Sequence, residues 1–265
     1  MKKIIVATFL CALLITAFAH EYVLLAFHYR IQKGDTLEMH LFSSDGFNIQ
    51  LERPLQKAIT KSFELITENG TTDLLSSNND GTLPVVNIKV DFEGLGLVHM
   101  ERDYARITLP TDKFLSYIKE DHIENISAEL DTTKKFQTER YTRYIKALVK
   151  SGNVNKDTLY KKITGQNFEI ILLQNPYMLH EKDLLKVQIL FMGKPLGNKI
   201  ITARNRTGSE NPIALTSTTD AHGICSFNMV RKGEWFIHAT QMIPCPNKAD
   251  SDWESFWASY SFEID

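Results

Sequence analysis

The chain is poor in the features that make a function easy to read. It contains no Gly-x-Ser-x-Gly, no His-Glu-x-x-His and no glycine-rich phosphate loop, so the common esterase, zinc-protease and nucleotide-binding signatures are missing. It has no basic excess: 30 Lys and Arg stand against 32 Asp and Glu, a net charge of -2. Nucleic-acid binding calls for a basic surface and is not expected. It has one long apolar run, at its very start, and no second one. No transmembrane segment is expected after that run. Cysteine is scarce. Of three, Cys11 lies within the opening apolar run, which leaves Cys225 and Cys245.

An oxidising compartment would permit those two to pair. If Arg231-Lys232 forms a hairpin turn, Cys225 faces His238 or Ala239, and Cys245 lies roughly 20 Å further on at ~3.3 Å per strand residue. A bridge needs Cα atoms within roughly 7 Å. Two free thiols are therefore favoured over a bridge.

The opening run is informative for its placement. Met1-Lys2-Lys3 precede an apolar stretch from Ile4 to Phe18, which ends in Ala17-Phe18-Ala19 before His20. A basic start, an apolar centre and an A-x-A site describe a secretory signal peptide. Residues 1–19 are read as that signal, and the protein as periplasmic. Cleavage after Ala19 leaves His20 with a free α-amine. That amine and the imidazole can chelate one ion together, both being nitrogen donors near neutral pH.

The rest reads as mainly β. Tyr22 to Tyr29 and Thr36 to Phe42 flank the turn Gln32-Lys33-Gly34, and the pattern continues over Gln56 to Ile66, Val85 to Phe92 and Val98 to Leu109. Thr111-Asp112 can cap a helix over 112–119. Tyr141, Tyr144, Ile145 and Leu148, at i, i+3, i+4 and i+7, predict a second helix over 132–150. Beyond Asn175-Pro176 short strands recur at Leu184 to Phe191, Lys199 to Arg204, Ile213 to Thr219, Ile224 to Val230, Trp235 to Ala239 and Ser255 to Ile264. The expected architecture is an N-terminal β-rich domain with a helical insertion over 20–167, and a C-terminal immunoglobulin-like β-sandwich over 168–265.

Four stretches together carry a resemblance: Ala19-His20-Glu21-Tyr22, the run Glu139-Arg140-Tyr141-Thr142-Arg143-Tyr144-Ile145-Lys146-Ala147-Leu148, Gly193-Lys194-Pro195-Leu196, and Trp253-Glu254-Ser255-Phe256-Trp257-Ala258. In these the chain resembles the NikM-like family of bacterial periplasmic proteins, described as the periplasmic component of cobalt or nickel ABC uptake systems. The resemblance implies a divalent cargo, nickel or cobalt with copper as an alternative. It also implies a partner, a metal-uptake permease or an outer-membrane receptor. Relatives often carry histidine just before the methionine matching Met242. This chain has Gln241 there, with His238 three residues earlier.

The candidate ligands follow. His20 needs further donors to hold a divalent ion well. Glu21 is one. A hairpin register centred on Lys33 puts His20 opposite Gly46 and brings in Asp45. The same register sets His28 opposite Glu38, with His40 two residues along on the same face, a second set suited to nickel, copper or zinc. About 26 Å separates His28 from His20 along a strand, so the two sets are distinct. His238 is a weaker candidate, or a histidine satisfied within the core. His99, beside Glu101, and His122, after Glu120-Asp121, read as surface residues, and Glu254 is expected to pair with a base such as Arg140 or Arg143. The favoured function is a non-enzymatic metal-binding accessory of nickel or cobalt uptake. The rivals are an adhesion or interaction module using the C-terminal sandwich, and a copper protein with an N-terminal histidine chelate. N-terminal sequencing of the exported protein should read His-Glu-Tyr. A start elsewhere removes the amine from the ligand set.

Overall fold

The computed structural model describes residues 21–153 and 157–265. From the start of the described chain come β1 (Glu21–Ala26), β2 (Arg30–Ile31), β3 (Thr36–Asp45), β4 (Asn48–Arg53), β5 (Thr60–Thr67) and β6 (Gly70–Asp73). A short helix α1 (Leu74–Ser77) leads to β7 (Val86–Lys89) and the long β8 (Gly94–Pro110). Helix α2 (Thr111–Glu120) is inserted before β9 (Phe136–Ser151). The remainder is β10 (Phe168–Leu172), β11 (Leu184–Phe191), β12 (Lys194–Pro195), β13 (Ile200–Arg206), β14 (Ile213–Thr218), β15 (Ile224–Asn228), β16 (Gly233–Pro244) and β17 (Trp253–Ile264). The fold is mainly β and sandwich-like, as the alternation and turn chemistry imply.

Three sheets build it. A nine-stranded sheet runs β14-β13-β16-β17-β9-β8-β5-β6, with β2 beside β9. One four-stranded sheet is β1-β3-β4 with β7 on β3, and another is β10-β11-β12 with β15 on β11. The large sheet is the shared floor. On β17, Phe256 packs on Phe191 of β11, while the hydroxyls of Ser259 and Ser261 donate to the carbonyls of Tyr22 and Leu24 of β1. Successive strand residues point to opposite faces. The β10-containing sheet therefore covers one face of the floor, and the β1-containing sheet covers the other. Helix α2 sits on the β1 side. Its Phe114 and Tyr117 stack on Trp253 and Trp257.

The segment expected as a helix over 132–150 is strand β9. Its apolar spacing is compatible with a helix, but it also describes a strand buried on both faces. The Tyr, Thr, Phe, Ile and Val content favours the strand. β17 lies parallel to β9, from Trp253 opposite Glu139 to Ser261 opposite Ala147. This pairing also corrects the boundary expected at residues 167 and 168. The floor takes strands from both sides of it, and one core cluster contains Leu97 and Leu148 together with Ile201 and Trp235. Nor do Ile224 to Val230 and Trp235 to Ala239 form a hairpin. β15 joins β11, and β16 joins β13 and β17, because the chain crosses between layers after Asn228. Cys225 and Cys245 are buried free thiols.

On the β10 side of the floor, Lys146 of β9 meets Glu169 at 2.6 Å, each side chain only 1% exposed. Burial pushes the Lys146 ammonium down to about 8, against the attraction of Glu169. Glu169 also accepts from Thr164 and Gly165. Removing one partner strands the other charge. In urea denaturation, Lys146→Met alone should cost about 3–5 kcal/mol. The double variant Lys146→Met/Glu169→Leu should recover most of that loss; a double loss equal to the sum of the Lys146→Met and Glu169→Leu losses would show that the pair is not coupled.

Candidate metal centre

Three elements meet on the β1 side of the floor. β1 begins with Glu21, α2 ends beside Asp121, and β16 carries His238 on its inward face. One ligand atom from each lies within 4.8 Å of the others. His238 Nε2 is 3.8 Å from Glu21 Oε1 and 4.0 Å from Asp121 Oδ1. These distances exceed hydrogen bonds and leave a gap between the donors. The gap is a cavity of about 20 Å³, also lined by Thr202, Arg204 and Thr240, which is room for one water-sized species. A groove of about 340 Å³ adjoins it and shares His122 and Ile200 with it.

The local sequence accounts for the placement. Leu25 faces His40 across the first hairpin, and Glu21 faces Ser44, so Glu21, Val23 and Leu25 share the face that packs on Phe236 of β16. His238 is two residues along β16 from Phe236 and lies on the same side. Asp121 is delivered by α2, whose apolar face of Phe114, Tyr117 and Ile118 is clamped by the β17 tryptophans.

Electrostatics sets the protonation states. Burial pushes the Glu21 carboxyl up to about 7, although Arg204 at 3.1 Å pulls it down and Asp45 adds to the rise. Burial also holds Asp121 well above the carboxylate range, with Glu21, Glu139 and Glu120 adding repulsion. His238 is pushed down to about 3 by burial and by the nearby cations Arg204 and Lys199. It is therefore a neutral imidazole. Thr240 Oγ1 lies 3.1 Å from Nε2, and the ring also bonds the Ala258 backbone. With Nε2 turned to the acids, Nδ1 is the nitrogen left for that carbonyl. Nε2 is then the acceptor of the Thr240 hydroxyl at the wall of the cavity, a lone pair that a metal would have to take over. Glu21 Oε2 is buried without a hydrogen-bond partner among the described residues. An orphaned carboxylate oxygen beside a neutral imidazole is a cation-binding arrangement.

Behind this centre lies a further, fully buried acid. Glu139 accepts from Tyr117 at 3.1 Å and from Ser255. Burial raises it to about 7, while those hydrogen bonds and Arg143 lower it.

Of the expected ligands, Glu21 and His238 are brought together. Asp45 ends β3, exposed and outside the cluster, because the hairpin register is one residue short of the one expected. His20 lies outside the described residues. The second set is not assembled. His28 is exposed beyond the end of β1, against Phe27, and no cluster among the described residues unites it with Glu38 and His40. His40 instead has Nε2 3.0 Å from Glu38 and Nδ1 2.5 Å from Glu52. Burial opposes its charging, but both carboxylates outweigh that and raise it. Both of its ring nitrogens are thus already engaged by carboxylates. Asp121 was not legible as a ligand. No local pattern marks a residue that reaches the site only because its helix folds back. Glu254 does pair with Arg140, at 2.7 Å.

A family model described as a domain of unknown function, DUF4198, matches residues 17–243. The chain belongs to the DUF4198 family. That span takes in Glu21, Asp121 and His238 of this DUF4198 protein. No curated protein is similar to it in sequence. Among solved structures it is similar to the D0-D1 domain of intimin, at 11% identity and a TM-score of 0.22, over 91% of this chain and 96% of that one. It is also similar to a tetra-tandem repeat from the extending region of a large adhesion protein, at 10% identity and a TM-score of 0.24, over 93% of this chain and 49% of that one. No helix among the described residues is long and apolar enough to cross a membrane.

The raised acids give the metal-free protein a distinctive pH response. A carboxyl raised in the folded state stabilises below its unfolded value, and that contribution is lost as pH rises through the folded one. Glu21 and Glu139 therefore lose stability between about 4.5 and 7, each on the order of 3 kcal/mol at most. Asp121 acts in the same direction. The depressed His238 acts oppositely, gaining between about 3 and 6.5. Three acids against one histidine should make the Tm of chelator-treated protein fall from pH 5 to pH 8. Asp121→Asn should flatten that fall in a fluorimetric melt; an unchanged slope would mean Asp121 is not held protonated.

Proposed function

We propose that this protein binds a divalent transition-metal ion between Glu21, Asp121 and His238, and serves as an exported, non-enzymatic accessory of nickel or cobalt uptake. One observation carries the reading: a buried acid, a half-buried acid and a neutral histidine converge on an ion-sized cavity, and Glu21 Oε2 has no hydrogen-bond partner among the described residues. Two carboxylates and one imidazole form an open set that leaves coordination positions unfilled.

The sequence supplies candidates for those positions. His20 immediately precedes Glu21, so cleavage after Ala19 sets an α-amine and an imidazole one residue from a ligand. Such a mixed nitrogen and oxygen set suits nickel, cobalt or copper better than magnesium or calcium, which prefer oxygen alone. The NikM-like resemblance names the same metals and adds a permease or outer-membrane receptor as the recipient. In this reading the adjoining groove is the side from which the ion enters and leaves.

Calorimetry on processed protein with nickel, cobalt and copper chlorides tests it. One ion should bind per chain. Affinity should rise with pH by about tenfold per unit for each proton released. Asp121→Asn and His238→Ala should each weaken binding at least about tenfold, and His40→Ala should leave it unchanged. One residue added ahead of His20 should weaken binding if the amine is a ligand. Full binding in both Asp121→Asn and His238→Ala would remove this centre, and the absence of tight binding in any form would favour the interaction-module reading.

A further inference from the structure

The cavity between Glu21, Asp121 and His238 has a mouth, and a histidine stands in it. The cavity and the wider groove beside it share two lining residues, His122 and Ile200. Ile200 offers only hydrocarbon. His122 offers two imidazole nitrogens, and neither has a hydrogen-bond or ion-pair partner among the described residues. No other described residue lining the groove carries an imidazole, a thiol or a carboxylate.

The backbone holds that imidazole in place against its own preference. Past the end of α2 the Asp121 N–H donates to the Tyr117 carbonyl at 3.1 Å, and the Ile123 N–H donates to the Ile118 carbonyl at 2.7 Å. This closing pattern needs a left-handed residue between the two donors. The residue is His122, at a φ of 53°. Glycine is the usual occupant of such a position, because a side chain there is strained. Two ties fix the turn. Lys199 Nζ donates to the His122 carbonyl at 2.8 Å, and Asn125 Nδ2 donates to the Met242 carbonyl of β16 at 3.0 Å. His122 is also near enough to His238 to be among the groups that disfavour its charged form.

We infer that His122 is the entry ligand of the metal centre: its imidazole takes a hydrated divalent ion from the groove and passes it to Glu21, Asp121 and His238. The inference rests on the metal reading of that centre. A cavity of about 20 Å³ holds one water-sized species, so the ion sheds its hydration shell before it enters. An imidazole at the mouth replaces a departing water, and the three inner donors then replace the imidazole. The same exchange run backwards releases the ion. A nitrogen donor at this step also selects. Nickel, cobalt and copper accept it, while magnesium and calcium keep to oxygen. An entry ligand sets the rates of loading and release together and leaves their ratio, the affinity, almost unmoved. A resident ligand changes the affinity itself.

The test reads rates and affinity separately. The Trp257 ring lies 5.7 Å from the His238 ring, so nickel in the centre should quench tryptophan fluorescence. Stopped-flow mixing of processed protein with nickel chloride gives the loading rate. Mixing the loaded protein with excess chelator gives the release rate, and calorimetry gives the affinity. The variants are His122→Gly and His122→Asn. Both residues tolerate the left-handed position, so both variants should melt no lower than the parent. Glycine widens the mouth, while asparagine keeps a polar side chain in it. Each should slow loading and release by about tenfold. Affinity should stay within roughly threefold of the parent. Loading of His122→Asn at the parental rate overturns the inference. So does a large loss of affinity with loading unslowed, which would make His122 a resident ligand. A parent that binds no nickel removes the metal reading and this inference with it, whereas a parent that binds and variants with unchanged rates remove this inference alone.

Discussion

The parallel ladder between β17 and β9 is the constraint on which the rest depends. The final strand of the chain enters the middle of the largest sheet, with β16 on one side and β9 on the other. Its register sets Trp253, Glu254 and Ser255 beside Glu139, Arg140 and Tyr141. The two most specific motifs of the resemblance are therefore the two edges of one seam. Each residue in the seam has a structural task. Glu254 and Arg140 pair, Ser255 donates to Glu139, the tryptophans clamp α2, and Lys146 reaches through to Glu169. Clamping α2 places Asp121, and the lie of β16 against β17 places His238. The convergence of Glu21, Asp121 and His238 is thus a consequence of how the seam closes.

The seam also explains which parts of the fold were legible. Most strands could be read, because alternation and turn residues mark them locally: β3, β11, β13, β14 and β17 fall close to the expected spans. β9 could not. A strand covered on both faces loses its period of two, and its Tyr and Leu spacing imitates a helix turn. Nor do its charges mark an outer face, since Lys146 and Arg143 are buried. The error spread from there. With 132–150 taken as a helix, nothing linked the N-terminal strands to the C-terminal ones, and a domain boundary between them followed naturally.

The site was legible in halves. Glu21 follows from the cleavage motif, and His238 from being a histidine on an inward strand. What joins them is tertiary. A one-residue register difference in the first hairpin takes Asp45 out of the cluster and sets Glu21 on the face of β1 toward His238. A helix that folds back supplies Asp121. The electrostatic result is a region of the β1 side where Glu21, Asp121 and Glu139 are all held above the ordinary carboxylate range. Such an arrangement is costly in a protein interior.

The most direct measurement is a crystal structure of processed protein soaked with nickel, with diffraction recorded on both sides of the nickel absorption edge. One anomalous peak is predicted in the cavity between Glu21, Asp121 and His238, about 2 Å from His238 Nε2. A peak beside Glu38, His40 and Glu52 instead, or none at saturating nickel, would contradict the account.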